Sequence, residues 1–223
     1  ILRGRDIKRY GYEFADLYLI ATFPSLKIDI EKYPAIKKHL LSFGIKRLEQ
    51  TGKEYKVNDE TIKARKKTTN KWFETQDSIS YWDDFSKQKI VWGEISDRTK
   101  FCIDLKGEFF TEATTFLMTG KSLLYLLGFL NSKVSEYFFS KIGTTTGVGT
   151  VRWKKFTIEQ LYVPVISIDR YVYYDTIVNS IILKQSKNED YTEQLTELNM
   201  SIYQELNLTD EEIKFIEKYS ESI

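Results

Sequence analysis

The sequence is poor in the residues on which most catalytic and metal sites depend. Its 223 residues include one cysteine, Cys102, and one histidine, His39. A single cysteine excludes an internal disulfide and any zinc site built from several cysteines, and fits a reducing compartment. A lone histidine has no second histidine with which to complete a metal site or a catalytic set. The sequence therefore predicts no catalytic residues and no metal site in this chain.

Turn-forming residues and long apolar runs are also scarce. The chain has 3 prolines and 11 glycines and is 42% hydrophobic, which is too apolar for a disordered protein. Its longest nearly apolar run, Leu123 to Leu130, is far shorter than the roughly 20 residues that a membrane helix needs. We therefore expect a globular chain with no membrane partner. Because it starts with isoleucine and shows no signal peptide, we also expect a piece of a longer protein.

An excess of charge of one sign is nearly absent from the chain as a whole, but each of its two parts has one. The formal net charge is +1. The residues through Lys155 include 28 basic and 19 acidic side chains, whereas those from Phe156 onward include 5 and 13. Such an asymmetry is typical of a nucleic-acid surface beside an acidic module.

The hydrophobic periodicity predicts an α+β fold. Short β-branched and aromatic segments between Lys89 and Met118 predict a mixed, largely antiparallel sheet packed with helices. Apolar residues spaced 3 and 4 apart predict a helix from Ser122 to about Tyr137 and, after residue 167, a helical hairpin. The predicted domains are residues 1–166 and a helical tail, 167–223. Further expectations are a strand over Phe14 to Phe23, a helix over Pro34 to Leu48 and an exposed loop over Gly52 to Lys71.

Two glycine-containing segments resemble phosphate-binding motifs only superficially. In Thr119 to Ser122, TGKS, the first glycine that a phosphate-binding loop requires is replaced by Thr115. Residues Gly147 to Gly149 follow a predicted helix, whereas a dinucleotide fingerprint follows a strand. Neither segment predicts a nucleotide site.

Three basic clusters carry the functional signal. Each one combines cations that neutralise phosphates with aromatic or small polar neighbours, and all three lie in the basic part of the chain. Their members are Arg3, Arg5, Lys8 and Arg9; Lys63, Arg65, Lys66, Lys67 and Lys71; and Arg152, Lys154 and Lys155. The third cluster follows a Gly/Thr loop, Gly143 to Thr150, that could approach a nucleic-acid backbone closely.

The order of segments along the chain resembles the TaqI-like specificity domain. The matching segments are LRGRDIKRYGYEFADLYLI, DIEKYPAIKKHL, ARKKTTNKWFE, YWDDFSKQKIVWGEIS, LLYLLGFLNSKVSEYFF and VRWKKFTIEQLYVPV. They cover about Ile1 to Ile166. This domain is the carboxy-terminal target-recognition part of adenine-specific DNA methyltransferases and of single-chain restriction-modification enzymes. The family's catalytic Asn-Pro-Pro-aromatic motif is absent, since no proline follows an asparagine.

The resemblance implies a bacterial or archaeal cytoplasmic protein that recognises double-stranded DNA. An N-terminal methyltransferase domain of the same parent chain would bind S-adenosylmethionine and methylate a flipped adenine, and a nuclease domain using magnesium could also be present. This chain would hold no cofactor itself. The phosphate contacts that we predict are Arg3, Arg5, Lys66, Lys67, Arg152 and Lys154. The predicted base readers are Arg65, Asn70, Lys71, Thr144, Thr145 and Thr146.

Two other functions fit the same sequence. One is a module like the specificity subunit of a type I system, which pairs with separate subunits instead of a fused methyltransferase. The other is a protein-interaction domain whose basic face meets an acidic partner. Under the DNA interpretation, the acidic tail would be a helical brace, or a surface for another domain, that its charge keeps off the duplex.

Overall fold

The computed structural model describes residues 1–57, 59–146 and 150–222. Residues 147–149, which belong to the Gly/Thr loop, lie outside the described residues. The helices are α1 Pro34–Leu41, α2 Ile45–Leu48, α3 Leu123–Leu130, α4 Lys133–Ile142, α5 Lys155–Ile158, α6 Ile168–Ser186, α7 Thr192–Glu205 and α8 Asp210–Ser222. The strands are β1 Ile7–Lys8, β2 Gly11–Tyr12, β3 Glu54–Val57, β4 Glu60–Lys63, β5 Lys89–Gly93, β6 Ile95–Ser96, β7 Phe101–Asp104, β8 Thr115–Met118, β9 Thr144–Thr145 and β10 Val151–Arg152.

These elements form two compact units. Unit 1 contains Ile1–Leu17 and the residues from Asp83 onward, and unit 2 contains Tyr18–Trp82. Helices packed with small antiparallel sheets of short strands confirm the predicted α+β class.

An antiparallel sheet in the order β7-β5-β8 is the centre of unit 1. Alternate residues of a strand point to opposite faces, so Ile90 and Trp92 lie on one face of β5 and Val91 on the other. The first face joins the main core with residues from α3, α4, α6 and α7. The second packs with Cys102 and, from the amino-terminal segment, Leu2 and Ile7. Both faces are buried, and the amino-terminal segment is fixed to the sheet.

The helix predicted from Ser122 to about Tyr137 is interrupted, giving α3 and α4. The Asn131 amide accepts a hydrogen bond from the Phe101 N–H at 3.1 Å and donates one to the Phe101 carbonyl at 2.9 Å. Ser132 then caps α4 by accepting from the Ser135 N–H. The break therefore ties the helices to β7, a role that helical periodicity alone does not reveal.

The carboxy-terminal helices share the core of unit 1. Tyr174, Val178 and Ile181 of α6 and Leu198 of α7 are buried in the same cluster as Trp92. The predicted hairpin is present as α6 and α7, and Thr209 and Glu212 form the predicted capping box of α8. Whether residues 167–223 act as a separate domain stays a prediction, although in the structure they complete one core with the residues before them.

Unit 2 differs most from the sequence-based expectations. The segment 52–71, predicted as a loop, contains the hairpin β3-β4, in which Tyr55 faces Ile62 across the strands. These two residues are half-buried while their strand neighbours are exposed. With one half-buried residue in each strand, the alternation of buried and exposed positions is too short to predict a strand from the sequence. The predicted helix over Pro34 to Leu48 is divided at Gly44, whose φ is 89°.

The predicted strand over Phe14 to Phe23 is wrong. Residues 13–23 form no strand, and Asp16 adopts a φ of 52°, which interrupts an extended backbone. The apolar residues Leu17, Tyr18, Leu19 and Ile20 are instead exposed along the segment that leads from unit 1 into unit 2.

Candidate nucleic-acid interface

An open groove on unit 1 brings together side chains from the first and third basic clusters. Its volume is about 860 Å³. Among the described residues that line it, four side chains are cationic and three are carboxylates. The lining consists of Gly4, Arg5, Ile7, Lys8, Gly93, Glu94, Ile95, Ser96, Asp97, Lys100, Glu112, Thr114, Thr150 and Arg152. We call it the Arg5–Arg152 groove.

A close backbone approach positions Arg5 at one wall of this groove. The amino-terminal segment crosses the end of β5 where Gly4 meets Gly93, and a Cβ on Gly93 would lie 3.1 Å from the Gly4 Cα. The Gly4 N–H donates to Glu112 Oε1 at 3.2 Å. Arg5 is exposed beside this crossing. The two glycines thus let the amino-terminal segment cross β5 closely, with the exposed Arg5 directly after the crossing.

A second sheet, in the order β6-β10-β9, carries Arg152. Arg152 lies directly opposite Ile95 on one side and Thr144 on the other. Residues directly opposite in antiparallel strands point to the same face, so these three side chains form one row. Thr145 pairs with Val151 in the neighbouring row, and Thr144 and Thr145 are both exposed.

The core anchors the strand on which Arg152 lies. Trp153 is buried, stacks on Phe139 with ring centroids 3.8 Å apart, and accepts a hydrogen bond at its carbonyl from Trp92 Nε1 at 2.8 Å. Lys154, the next residue, is half-buried and precedes α5. The predicted cluster around Trp153 is therefore a buried tryptophan flanked by two accessible cations.

Several groove and near-groove cations are already paired with carboxylates. Arg152 Nη1 lies 2.8 Å from Glu94 Oε1, and Lys100 Nζ lies 2.6 Å from Asp97 Oδ1. Arg3 contacts Asp6 at 2.7 Å, and these hydrogen bonds hold the pKa of the Asp6 carboxyl below its usual range. Arg3, predicted as a phosphate contact, thus has a structural partner in its own turn.

Thr146, the third predicted threonine reader, closes the base of its loop. Its N–H donates to the Thr150 carbonyl at 3.0 Å, and the two hydroxyls are hydrogen-bonded. Thr150 lines the groove. Thr146 is half-buried, whereas Thr144 and Thr145 present exposed side chains.

The second basic cluster lies in unit 2, where two of the predicted base readers hold the chain together. The Arg65 guanidinium donates to the carbonyls of Leu48, Trp72 and Glu74, and its partial burial lowers its pKa. The Asn70 amide donates to the Thr75 carbonyl at 2.9 Å. Their role in reading bases stays a prediction, but in this conformation these donors serve the backbone of unit 2.

The other predicted cations of unit 2 are exposed. Lys66 lies 2.5 Å from Asp77, in an ion pair whose two side chains are both largely exposed. Lys67 is exposed, and the exposed Lys71 places its ammonium 5.6 Å from the centre of the Phe73 ring. All three side chains are accessible to phosphates, and the exposed ion pair of Lys66 is held only weakly.

Sequence reasoning missed three side chains of the Arg5–Arg152 groove as site residues. Lys8 belongs to the first basic cluster but is not among the predicted phosphate contacts. Lys100 has only Arg98 as a nearby cation, with Asp97 beside it, and Glu94 is an acid, so a search for clustered cations passes over both. Only the pairing of β6 with β10 brings residues 94–97 beside Arg152, and no local pattern encodes that pairing.

The described part of the chain is also predicted to hold neither a metal site nor a membrane span, and its features bear on these two points. Its His, Cys, Asp and Glu side chains form no group of three or more that could hold a metal ion. None of the helices within that part combines the length and apolarity that crossing a membrane requires. The Cys102 thiol is buried, which raises its pKa to about 12 and makes it a poor nucleophile.

A groove that four cations and three carboxylates line, on an α+β unit with short antiparallel sheets, is typical of a nucleic-acid-binding module. The chain belongs to the TaqI-like C-terminal specificity domain family, whose model matches residues 1–165. This confirms the resemblance found over about Ile1 to Ile166. The family gives the chain a DNA-recognition role in a restriction-modification enzyme. A search of the curated proteins found no match.

Proposed function

We propose that this chain holds duplex DNA so that a methyltransferase domain of the same parent protein can methylate an adenine within the target. The observation that carries the proposal is the Arg5–Arg152 groove, where cations from residues far apart in the sequence line one surface. Phosphates fix the position of a protein on a duplex, and base edges supply its specificity. The groove offers side chains suited to both tasks.

Arg5 and Lys8 are the phosphate contacts that the geometry favours most. Arg5 is exposed, and Lys8 forms an open ion pair with the largely exposed Glu13 at 3.4 Å. Such a pair is worth little in water, so a phosphate can replace the carboxylate at small cost. Lys66 and Lys67 of unit 2 are proposed as further phosphate contacts on their own surface.

The methylation chemistry would be supplied elsewhere in the parent protein. S-adenosylmethionine is proposed as the cofactor of that methyltransferase domain, which would flip the adenine out of the duplex before transferring the methyl group. The full parent protein should therefore transfer a labelled methyl group to duplex DNA. An Asn-Pro-Pro-aromatic motif in the parent sequence would support the proposal, and its absence, together with no methyl transfer, would contradict it.

Binding of duplex DNA can be tested on this chain directly. Fluorescence anisotropy should be measured with a labelled duplex, and polyglutamate should be the competitor at an equal concentration of negative charges. A DNA-recognition domain should be displaced by unlabelled duplex far better than by polyglutamate. Equal displacement by both would favour a basic protein-interaction face instead. Lys37→Gln is a suitable control for the loss of a positive charge outside the groove, because Lys37 forms an ion pair with Glu31 at 2.7 Å and does not line the groove.

A further inference from the structure

Arg152 and Glu94 form an ion pair that offers both a donor and an acceptor to the groove. Arg152 Nη1 and Glu94 Oε1 are 2.8 Å apart, with the side chains 42% and 24% exposed. Within the residues that the structure describes, Glu94 is the one hydrogen-bond acceptor of the Arg152 guanidinium. The remaining donors of Arg152 are thus available to a ligand.

The backbone around the pair is held on both sides. The Glu94 N–H donates to the Thr114 carbonyl at 2.9 Å, and the Glu94 carbonyl accepts from the Trp153 N–H at 2.6 Å. Trp153 is itself buried against Phe139. A side chain that recognises a ligand precisely needs such a rigid support, since a loosely held arginine loses rotamer entropy on binding.

The chemistry of this pair suits a base edge better than a phosphate. A phosphate carries negative charge and presents only acceptors, so the neighbouring Glu94 carboxylate weakens its attraction to Arg152. The edge of a G·C pair in the major groove presents acceptors, N7 and O6 of guanine, beside a donor, N4 of cytosine. Arginine and a carboxylate are the side chains that complement these two groups.

We propose that Arg152 and Glu94 together read a G·C base pair in the recognised DNA. Arg152 donates to N7 and O6 of the guanine, and Glu94 accepts from N4 of the cytosine. Thr144, which lies directly opposite Arg152 on β9, is placed to contact the adjoining base pair or its backbone. This inference rests on the proposed function and moves Arg152 from the phosphate contacts to the base readers.

The test is selection of duplexes from a randomised library by the chain, followed by affinity measurements on single-base-pair variants of the selected site. The variants are Arg152→Gln and Glu94→Gln, and Lys8→Gln is the control from the same groove. Circular dichroism melting checks that each variant is folded. The wild-type chain should select a site with a G·C pair, and Arg152→Gln should reduce the preference for that pair roughly 5- to 150-fold.

The two other variants should behave differently from Arg152→Gln and from each other. Glu94→Gln should weaken the same preference while raising affinity for unrelated duplexes, because the repulsion of phosphates is removed. Lys8→Gln should lower affinity for all sequences by a similar factor and leave the selected site unchanged.

The outcomes separate this inference from the proposed function. If Arg152→Gln lowers affinity equally for all sequences, with a shallower salt dependence, Arg152 is a phosphate contact and the inference is wrong. The same conclusion follows if neither variant alters the selected site. If the wild-type chain selects no site at all, sequence-specific recognition by this chain fails, and the inference fails with it.

Discussion

At the scale of single residues, the chain contains a buried ion pair that lies outside the lining of the Arg5–Arg152 groove. Lys89 on β5 and Asp104 on β7 are both fully buried, with Nζ and Oδ2 2.5 Å apart. Asp104 also accepts from the N–H groups of Gly107, Glu108 and Phe109. These hydrogen bonds hold the turn after β7. Together with the ion pair they compensate both buried charges and most lone pairs of the Asp104 carboxylate.

Lys89→Met should therefore lower the free energy of unfolding by about 3–5 kcal/mol, since Asp104 would be left as an uncompensated buried charge. Urea unfolding measures the change. Lys87→Met is the matched control, because Lys87 forms an exposed pair with Asp84 at 2.7 Å. That variant should change stability by less than about 1 kcal/mol. Equal effects of the two variants would contradict a structural role for the buried pair.

The Asp6 carboxylate should make stability depend on acid pH. Hydrogen bonds from Arg3 lower its pKa in the folded state below the ordinary value of 3.8. A carboxyl whose pKa is lowered in the folded state contributes its full stabilisation at pH values above its pKa in the unfolded state. This contribution is lost as the pH falls through the folded-state pKa. Wild type should exceed Asp6→Asn in stability at pH 7, and the difference should shrink below about pH 4. A difference that is independent of pH would contradict this assignment.

At the scale of elements, helix α3 is packed against its neighbours through a glycine. A Cβ on Gly128 would lie 2.9 Å from Val178 Cγ2 of α6 and 3.2 Å from Leu198 Cδ1 of α7. Glycine in a helix is ordinarily less favourable than alanine by about 1 kcal/mol, so Gly128 is kept for this close approach.

Gly128→Ala should lower the melting temperature, corresponding to about 1–3 kcal/mol of overpacking, despite the better helix propensity of alanine. Thermal unfolding followed by circular dichroism measures it. Asn179→Ala, at an exposed position of α6, is the control and should be neutral or slightly stabilising. If Gly128→Ala raised the melting temperature, the close packing of the three helices would be wrong.

The elements with strong periodicity could be predicted from the sequence. The strands around Val91 and Cys102 and the helical hairpin α6-α7 follow clear apolar patterns. The break at Asn131 could not be predicted, because it depends on hydrogen bonds to Phe101, 30 residues earlier. The hairpin β3-β4 could not be predicted, because Tyr55 and Ile62 are the only half-buried residues of its two strands.

The candidate site was predicted in part for a similar reason. Clusters of like charge identify Arg5 and Arg152, but the pairing of β6 with β10 decides that Glu94 lies beside Arg152. Arg65 belongs to a basic cluster too, yet its guanidinium meets three backbone carbonyls of unit 2. Charge patterns therefore indicate the kind of ligand, whereas long-range pairing determines which side chains can reach it.

At the scale of the whole molecule, the acidic tail completes the core beneath the sheet of unit 1. Deletion of Asp169 to Ile223 would remove Tyr174, Ile181 and Leu198 from the cluster that contains Trp92. The truncated chain should lose cooperative thermal unfolding and bind hydrophobic dyes. An unchanged melting curve together with weaker DNA binding would show that the tail serves the ligand and not the fold.

The central claim is that Arg5 and Lys8 in the Arg5–Arg152 groove bind the phosphates of duplex DNA. The most direct test is the affinity of the chain for a duplex as a function of salt concentration, because each phosphate contact contributes about 0.9 to the slope of log K against log salt. The double variant Arg5→Gln/Lys8→Gln should flatten the slope by about 1.8. A slope that this variant leaves unchanged, or no duplex binding at low salt, would contradict the claim.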